Sequence, residues 1–211
     1  MKRINIAATA AGSLGFPSKM PGTAYGLPAS ACITGAKLAK VAGSVCANCY
    51  AMKGNYGFKS VQASQHVRLD SIEQHGWVGD MVRMLEAARD KGAPPFHRWH
   101  DSGDIQSVAH LDNICEVARL TPWLRHWLPT REIGIVTRYA KNREMPANLA
   151  IRVSATMIDG AATRAWPQTS TVHRDSEPVG HSCPARHQNN ECGECRACWS
   201  ADIANVSYPQ H

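Results

Sequence analysis

Phe96-His97-Arg98-Trp99-His100, followed at once by Asp101-Ser102-Gly103-Asp104, decides the fold. A short run of bulky residues reads as a strand, and the Asp-Ser-Gly-Asp group stops it in a turn. Next, between Val108 and Ala118, the residues Val108, Leu111, Ile114, Cys115 and Ala118 fall on one helical face, and Pro122 ends the run. Upstream, Trp77 to Lys91 is helical, with Trp77, Met81, Met84, Leu85 and Ala88 as its apolar face and Gly92, Pro94 and Pro95 as its stop. Helix, strand, turn, helix is the building unit of a parallel sheet with crossover helices.

The alternation continues. Leu124 to Leu128 is a second strand, Glu132 to Lys141 a short helix, Leu149-Ala150-Ile151-Arg152-Val153-Ser154 the strongest strand and Ser170 to Arg174 a weaker one. A polar helical stretch covers Lys59 to His75, while residues 12–35 are rich in Gly, Pro and Ser and read as irregular. From Pro178 the chain turns to loops. About five or six β/α units fit, too few for a closed eightfold barrel. The expected fold is therefore α/β, either a partial (β/α) barrel or an open, mostly parallel sheet. It would form one domain over residues 1–211, with a core at 1–177 and a loop-rich cysteine lobe at 178–211 packed on it. An irregular α+β fold organised by metal is the alternative.

With 211 residues, 44% apolar and 19% charged, the chain can build a core and does not read as disordered. Its net charge of +6 suits an anionic partner, nucleic acid or a small-molecule ligand among them, although no long Lys/Arg run occurs. No stretch approaches a transmembrane span, so no membrane partner is expected. The apolar part of the N-terminal stretch is short and broken by Asn5 and Thr9, so it reads as mature chain rather than a secretion leader. The thiols are then in a reducing cytoplasm and free to hold metal. An even count of eight cysteines keeps disulfides as the alternative.

Seven of those cysteines fall into two groups. Cys183 stands ahead of Cys192-Gly193-Glu194-Cys195-Arg196-Ala197-Cys198, and the C-x2-C-x2-C run curls the backbone around one centre. Four thiolates close either a [4Fe–4S] cluster or a tetrahedral zinc site. Cys32 stands ahead of Cys46-Ala47-Asn48-Cys49, and three thiolates leave one position for a fourth ligand or a small molecule. His66, His97, His100 or a distant cysteine could supply that fourth ligand. Cys115 sits on an apolar helix face and is expected in the core.

Position singles out the turn after the first strand, because ligands gather at the carboxyl ends of parallel strands. Asp101 and Asp104 are the candidate catalytic groups there, with Ser102 and Gly103 lining a cofactor. Gly103 would let backbone approach a ligand. Helix capping by one Asp is the plainer use. Arg152 and Ser154, on the strongest strand, could face a phosphate, a carboxylate or a cluster, and an internal salt bridge from Arg98 or Arg152 to Asp101 or Asp104 is the plainer use.

Ser18-Lys19-Met20, Leu27-Pro28-Ala29, Cys46-Ala47-Asn48-Cys49-Tyr50-Ala51, Arg98 through Asp104, Asn148-Leu149, Ser154, Cys183-Pro184 and Cys195-Arg196-Ala197-Cys198-Trp199 occur in this order. Together they resemble the gene product 88 family of phage proteins. The resemblance implies a phage or prophage origin, hence a host cytoplasm, and a cluster-binding protein, and it leaves the activity open. A looser likeness, to radical S-adenosylmethionine enzymes, rests on a three-cysteine loop and a turn after a strand. The chain lacks their tight C-x3-C-x2-C loop. The expectation is a phage-type iron–sulfur protein with one or two [4Fe–4S] clusters, and with S-adenosylmethionine as cofactor if it is an enzyme. The alternative is a module stapled by zinc that binds nucleic acid or a host protein.

Overall fold

The computed structural model describes residues 4–210. Met1 to Arg3, part of the N-terminal stretch weighed above as a leader, lie outside the described residues. Seven strands form one sheet: β1 (Thr23–Tyr25), β2 (Phe96–Trp99), β3 (Arg125–Thr130), β4 (Leu149–Ile158), β5 (Thr169–His173), β6 (His181–Ser182) and β7 (Asn205–Pro209). Every pairing is parallel, and the order is β1-β2-β3-β4-β5-β7-β6. The sheet is open, so the open parallel architecture is the one adopted. Among the described residues five α-helices accompany it: α1 (Ile33–Leu38), α2 (Lys59–Ser71), α3 (Trp77–Asp90), α4 (Val108–Leu120) and α5 (Ile133–Ala140).

The order 1-2-3-4 advances in one direction. Crossovers of a single hand then place every connecting helix on the same face of the sheet. The side chains agree. Tyr25, Trp99, Leu128 and Ile151 point to one face and pack with Met81 and Leu85 of α3, Leu111, Ile114 and Cys115 of α4, and Val136 and Tyr139 of α5. Cys115 is thus a core residue, as its helical position requires. The polar helix α2 is held differently. Its Arg68 donates to the carbonyls of Ser13 and Gly26 at 2.9 and 3.0 Å, and its Gln65 donates to Ser102 Oγ at 2.8 Å.

A sheet wound this way leaves its other face bare. Here the tail covers it. Trp127 of β3 and Val206 of β7 pack with Ala197, Cys198 and Trp199, and Phe96 and Tyr208 join them. The tail was expected to be all loops, yet it returns two strands to the sheet, β7 inserting between β5 and the edge strand β6. The opening residues likewise hold β1, α1 and a 3-10 turn at Ala29–Ala31, where only loops were expected. Among the described residues no helix is long and apolar enough to cross a membrane.

Arg152 pins the tail. This fully buried side chain on β4 donates to the carbonyls of Cys198, Thr169, Ile203, Ala197 and Ser200 at 2.6–3.3 Å. Four of those five carbonyls belong to the tail. Removing the guanidinium would strand them all away from water. Arg152→Leu is expected to cost about 3 kcal/mol or more in urea unfolding. It should also open residues 183–204 to protease before the helical layer. A tail that resists protease as well as the parent would show that Arg152 does not pin it.

Four histidines are buried in or beside the helix-side core. His97, His100 and His126 come from or follow the strands, and His110 lies on α4. Trp99 stands among them, donating from Nε1 to His126 Nδ1 at 3.2 Å. Burial drives His100 and His126 down to about 3 and holds His97 and His110 well below the usual value. Below an unfolded value of about 6.5, the unfolded chain takes up protons that the folded chain refuses. Stability is then present above that pH and lost as pH falls toward 3, by about 1.4 kcal/mol per pH unit for each such histidine. Asp104, raised to about 6 by burial, has the opposite sign and offsets about one histidine below pH 6. The urea midpoint should therefore fall steeply between about pH 6.5 and 5. A midpoint independent of pH in that range would contradict it.

Candidate functional site

The second cysteine group is built by the tail as it crosses the bare face. Cys183 N donates to Ser207 O at 2.8 Å, fixing the first thiol beside β7. Asn189, Asn190 and Gly193 take positive φ angles of 53°, 62° and 50°, which turn the loop back. Cys192 N then donates to Lys19 O at 2.9 Å and Cys195 N to Cys192 O at 3.0 Å. Trp199 Nε1 donates to His97 O at 3.0 Å and locks the end of the run onto β2. The four thiols share one apolar floor of Trp127, Trp199 and Val206. All are free thiols.

Burial pushes the Cys198 thiol up to about 12 and raises Cys183 and Cys192. Cys192 also feels Cys183 and Cys195, and Cys198 feels Cys183, so the sulfurs lie within reach of one another's charge. Cys198 Sγ stands 3.1 Å from Tyr208 Oη and Cys195 Sγ 3.3 Å from His181 Nε2. Arg98 lies beneath, acting on Cys192 and Cys198, its guanidinium 4.5 Å over the Trp127 ring. Arg98 Nε and Trp127 Nε1 are buried without a partner. Among the described residues, the one side-chain bond of the Arg98 guanidinium runs to Tyr50 Oη at 3.2 Å.

The first cysteine group lies at the carboxyl ends of β2, β3 and β4. Cys32 precedes α1. Glu132, after β3, accepts from Thr34 N and Thr34 Oγ1 at 2.7 and 2.8 Å and anchors that helix. Val45 N donates to Thr156 O at 3.0 Å, setting the Cys46–Cys49 loop against β4. Gly35 leaves room beside the sulfurs: a Cβ there would stand 2.9 Å from Cys32 Cβ and 3.5 and 3.7 Å from the Sγ atoms of Cys32 and Cys46. Burial pushes Cys32 to about 12 with help from Asp104, Cys49 and Cys46, while Arg131 acts the other way. Arg131 Nε, too, is buried without a partner.

Each group brings thiol donors together, and Arg98 and Arg131 beside them make no ion pair among the described residues. Among the described residues no three His, Cys, Asp or Glu side chains stand drawn up in ligand geometry.

The turn after β2 is used structurally. Asp104 accepts from Thr130 Oγ1 at 2.6 Å, Ile105 N at 2.8 Å and Arg131 N at 2.9 Å, tying the end of β2 to the end of β3. Asp101 accepts from Tyr56 Oη at 3.0 Å, and its carbonyl accepts from Tyr50 Oη. Ser102 donates to Leu27 O at 2.7 Å. Neither Asp caps α4, since Ser107 does, accepting from His110 N at 3.0 Å. Gly103, expected to admit a ligand, instead admits Leu27. With φ +78°, a Cβ there would lie 2.6 Å from Leu27 Cβ and 2.8 Å from Leu27 O. Arg152, expected to face a ligand or an Asp, is spent on the carbonyls of the tail and of Thr169, and Ser154 accepts from Ser170 Oγ at 3.0 Å. From this turn Asp104 acts on Cys32 and Cys46. Gly103→Ala should therefore destabilise the fold by about 1–3 kcal/mol through strain at positive φ. An unchanged urea midpoint would refute the close approach.

Sequence reasoning passed over Arg131, Glu132 and Tyr50 as site residues. Arg131 and Glu132 directly follow β3, the position already weighted for β2, and the expected strand simply ended two residues early. Tyr50 follows Cys49 and carried no signal of its own.

No curated protein and no solved structure matches this chain. A family model described as gene product 88 matches residues 2–201, a span that takes in both cysteine groups, the β2 turn and all the strands but β7. With nearly the whole chain matched in this way, the protein belongs to the gene product 88 family.

Proposed function

We propose that this chain is an iron–sulfur protein whose principal centre is a [4Fe–4S] cluster held by Cys183, Cys192, Cys195 and Cys198. The observation that carries the reading is the gathering of four free thiols on one aromatic floor, above an Arg98 guanidinium that makes no ion pair among the described residues. A neutral thiol needs no such cation. Four thiolates around a cationic core leave a net negative charge, which a buried arginine offsets. The C-x2-C-x2-C run favours iron, although a tetrathiolate zinc site has the same donors.

When bound, such a cluster supplies one-electron transfer. The chain does the rest. Trp127 and Trp199 keep the floor dry, the Tyr208 hydroxyl stands within hydrogen-bonding range of Cys198 Sγ, and Arg98 lowers the cost of the thiolate charge. Cys32, Cys46 and Cys49 would hold a second centre with one open position, at the end of the sheet where substrates collect. A small molecule such as S-adenosylmethionine enters the reading there, supported by the three-thiol count alone.

Protein expressed with iron and purified without oxygen should contain about four iron and four sulfide per filled cluster and absorb broadly in the visible. Cys195→Ala should lose one centre's iron and loosen residues 178–204, whereas Cys115→Ala should leave metal content unchanged. A colourless protein with stoichiometric zinc would replace iron by zinc in this reading. Metal-free protein, or metal loss in Cys115→Ala, would sink the ligand assignment.

A further inference from the structure

The charges of this chain are not spread evenly. Residues 1–69 contain Lys2, Arg3, Lys19, Lys37, Lys40, Lys53, Lys59 and Arg68, and no Asp or Glu at all; the first acidic residue is Asp70. The remainder of the chain is then slightly acidic, so the whole positive excess belongs to the N-terminal third. Four of its lysines are exposed: Lys37 on α1, Lys40 just beyond it, Lys53 between the Tyr50–Met52 and Gly54–Gly57 turns, and Lys59 at the start of α2. None of them enters an ion pair among the described residues.

The exposed apolar side chains concentrate on the same elements. Ile33, Tyr50, Met52 and Phe58 are 44–62% exposed, interleaved with those lysines. Tyr50 lies edge-on to Tyr56 with ring centroids 5.7 Å apart. Between Met52, Tyr56, Ser30, Gln62 and His66 opens a cleft of about 190 Å³. No carboxylate lines it. Its walls offer a thioether, an aromatic ring, a hydroxyl, an amide and an imidazole, which are partners for the face and the edge of a planar heterocycle carrying both donors and acceptors.

From this we propose that the surface formed by α1, the 50–57 turns and the start of α2 binds single-stranded nucleic acid, with one base seated in the Met52–Tyr56 cleft and phosphates on Lys37, Lys40, Lys53 and Lys59. Solvent-exposed rings beside unpaired cations form the platform that single strands use: the bases stack and the lysines follow the backbone. A duplex hides its base faces and cannot use the exposed rings or the cleft, so the surface selects single strands. An acidic protein partner would satisfy the lysines but not the base-sized cleft. The surface adjoins the first cysteine group through Tyr50, which follows Cys49. The proposal stands on charge, exposure and the cleft, and does not depend on which metal the thiols hold.

The test is fluorescence anisotropy with a labelled oligothymidylate of about 20 nucleotides, using anaerobically purified full-length protein with its native metal. Single strands should bind better than the matching duplex. If each lysine neutralises one phosphate, the logarithm of affinity should fall against the logarithm of salt with a slope of about −3. The double variant Lys53→Ala/Lys59→Ala should halve that slope to about −1.5. Phe58→Ala should weaken binding about tenfold while leaving most of the slope intact. The pair Leu120→Ala and Lys141→Ala, an exposed apolar residue and an exposed lysine on the helical layer, should change neither. No binding at low salt, equal affinity for duplex, or an unaltered slope in the double-lysine variant would each overturn the proposal. Metal content measured on the same samples keeps a failure here separate from a failure of the iron–sulfur reading.

Discussion

A parallel sheet that advances in one direction has helices on one face and nothing on the other, and that unfilled face governs the rest of this protein. A bare sheet face in water would expose Trp127, Phe96 and Val206 together. The chain answers with its own tail. The arrangement costs the desolvation of Arg152, a charge taken wholly out of water. Five carbonyl acceptors compensate it, and the same bonds satisfy carbonyls that an irregular buried loop would otherwise leave orphaned. Arg152 is therefore the hinge between sheet and cysteine loop: each would be poorly satisfied without the other.

The two faces use different physics. On the helix side, contacts among Trp77, Trp99, Met84, Leu111 and Ile151 are apolar, and the histidines there are neutral and confined. On the tail side, aromatic rings sit beside guanidinium groups and thiols. Arg98 belongs to that second layer but reaches past it, bonding Tyr50 beside the first cysteine group while acting on Cys192 and Cys198 in the second. One guanidinium thus acts on thiols of the second group and bonds the residue that follows Cys49 in the first.

Much of this was legible in the chain. The helix at Trp77–Asp90 declared itself through periodicity and flanking breakers, and the first six residues of the strand at Leu149–Ile158 through their composition. Strand β3 was read short because Pro129 looks like a stop. It is tolerated because the alternation of the strand turns its nitrogen toward β2, whose pairing with β3 ends at Trp127. Strand β1 was hidden by its three-residue length among glycines and prolines, and β7 by the loops around it. At the site, spacing identified the thiols, but it could not show what the neighbouring residues face. Arg152 looked like a ligand group because its acceptors lie 17 to 51 residues away. Gly103 looked like a ligand contact because nothing local reveals that Leu27 crosses above it. Long-range pairing, not composition, was the missing information.

The insertion of β7 between β5 and β6 also orders events during synthesis. The ribosome releases β6 and all four tail cysteines before the strand that must separate β6 from β5. Until β7 arrives, the loop from Cys183 to Cys198 lacks Val206 of its floor and the Ser207 carbonyl that fixes Cys183. Docking of the final strand is therefore the step that closes the cysteine loop against the sheet.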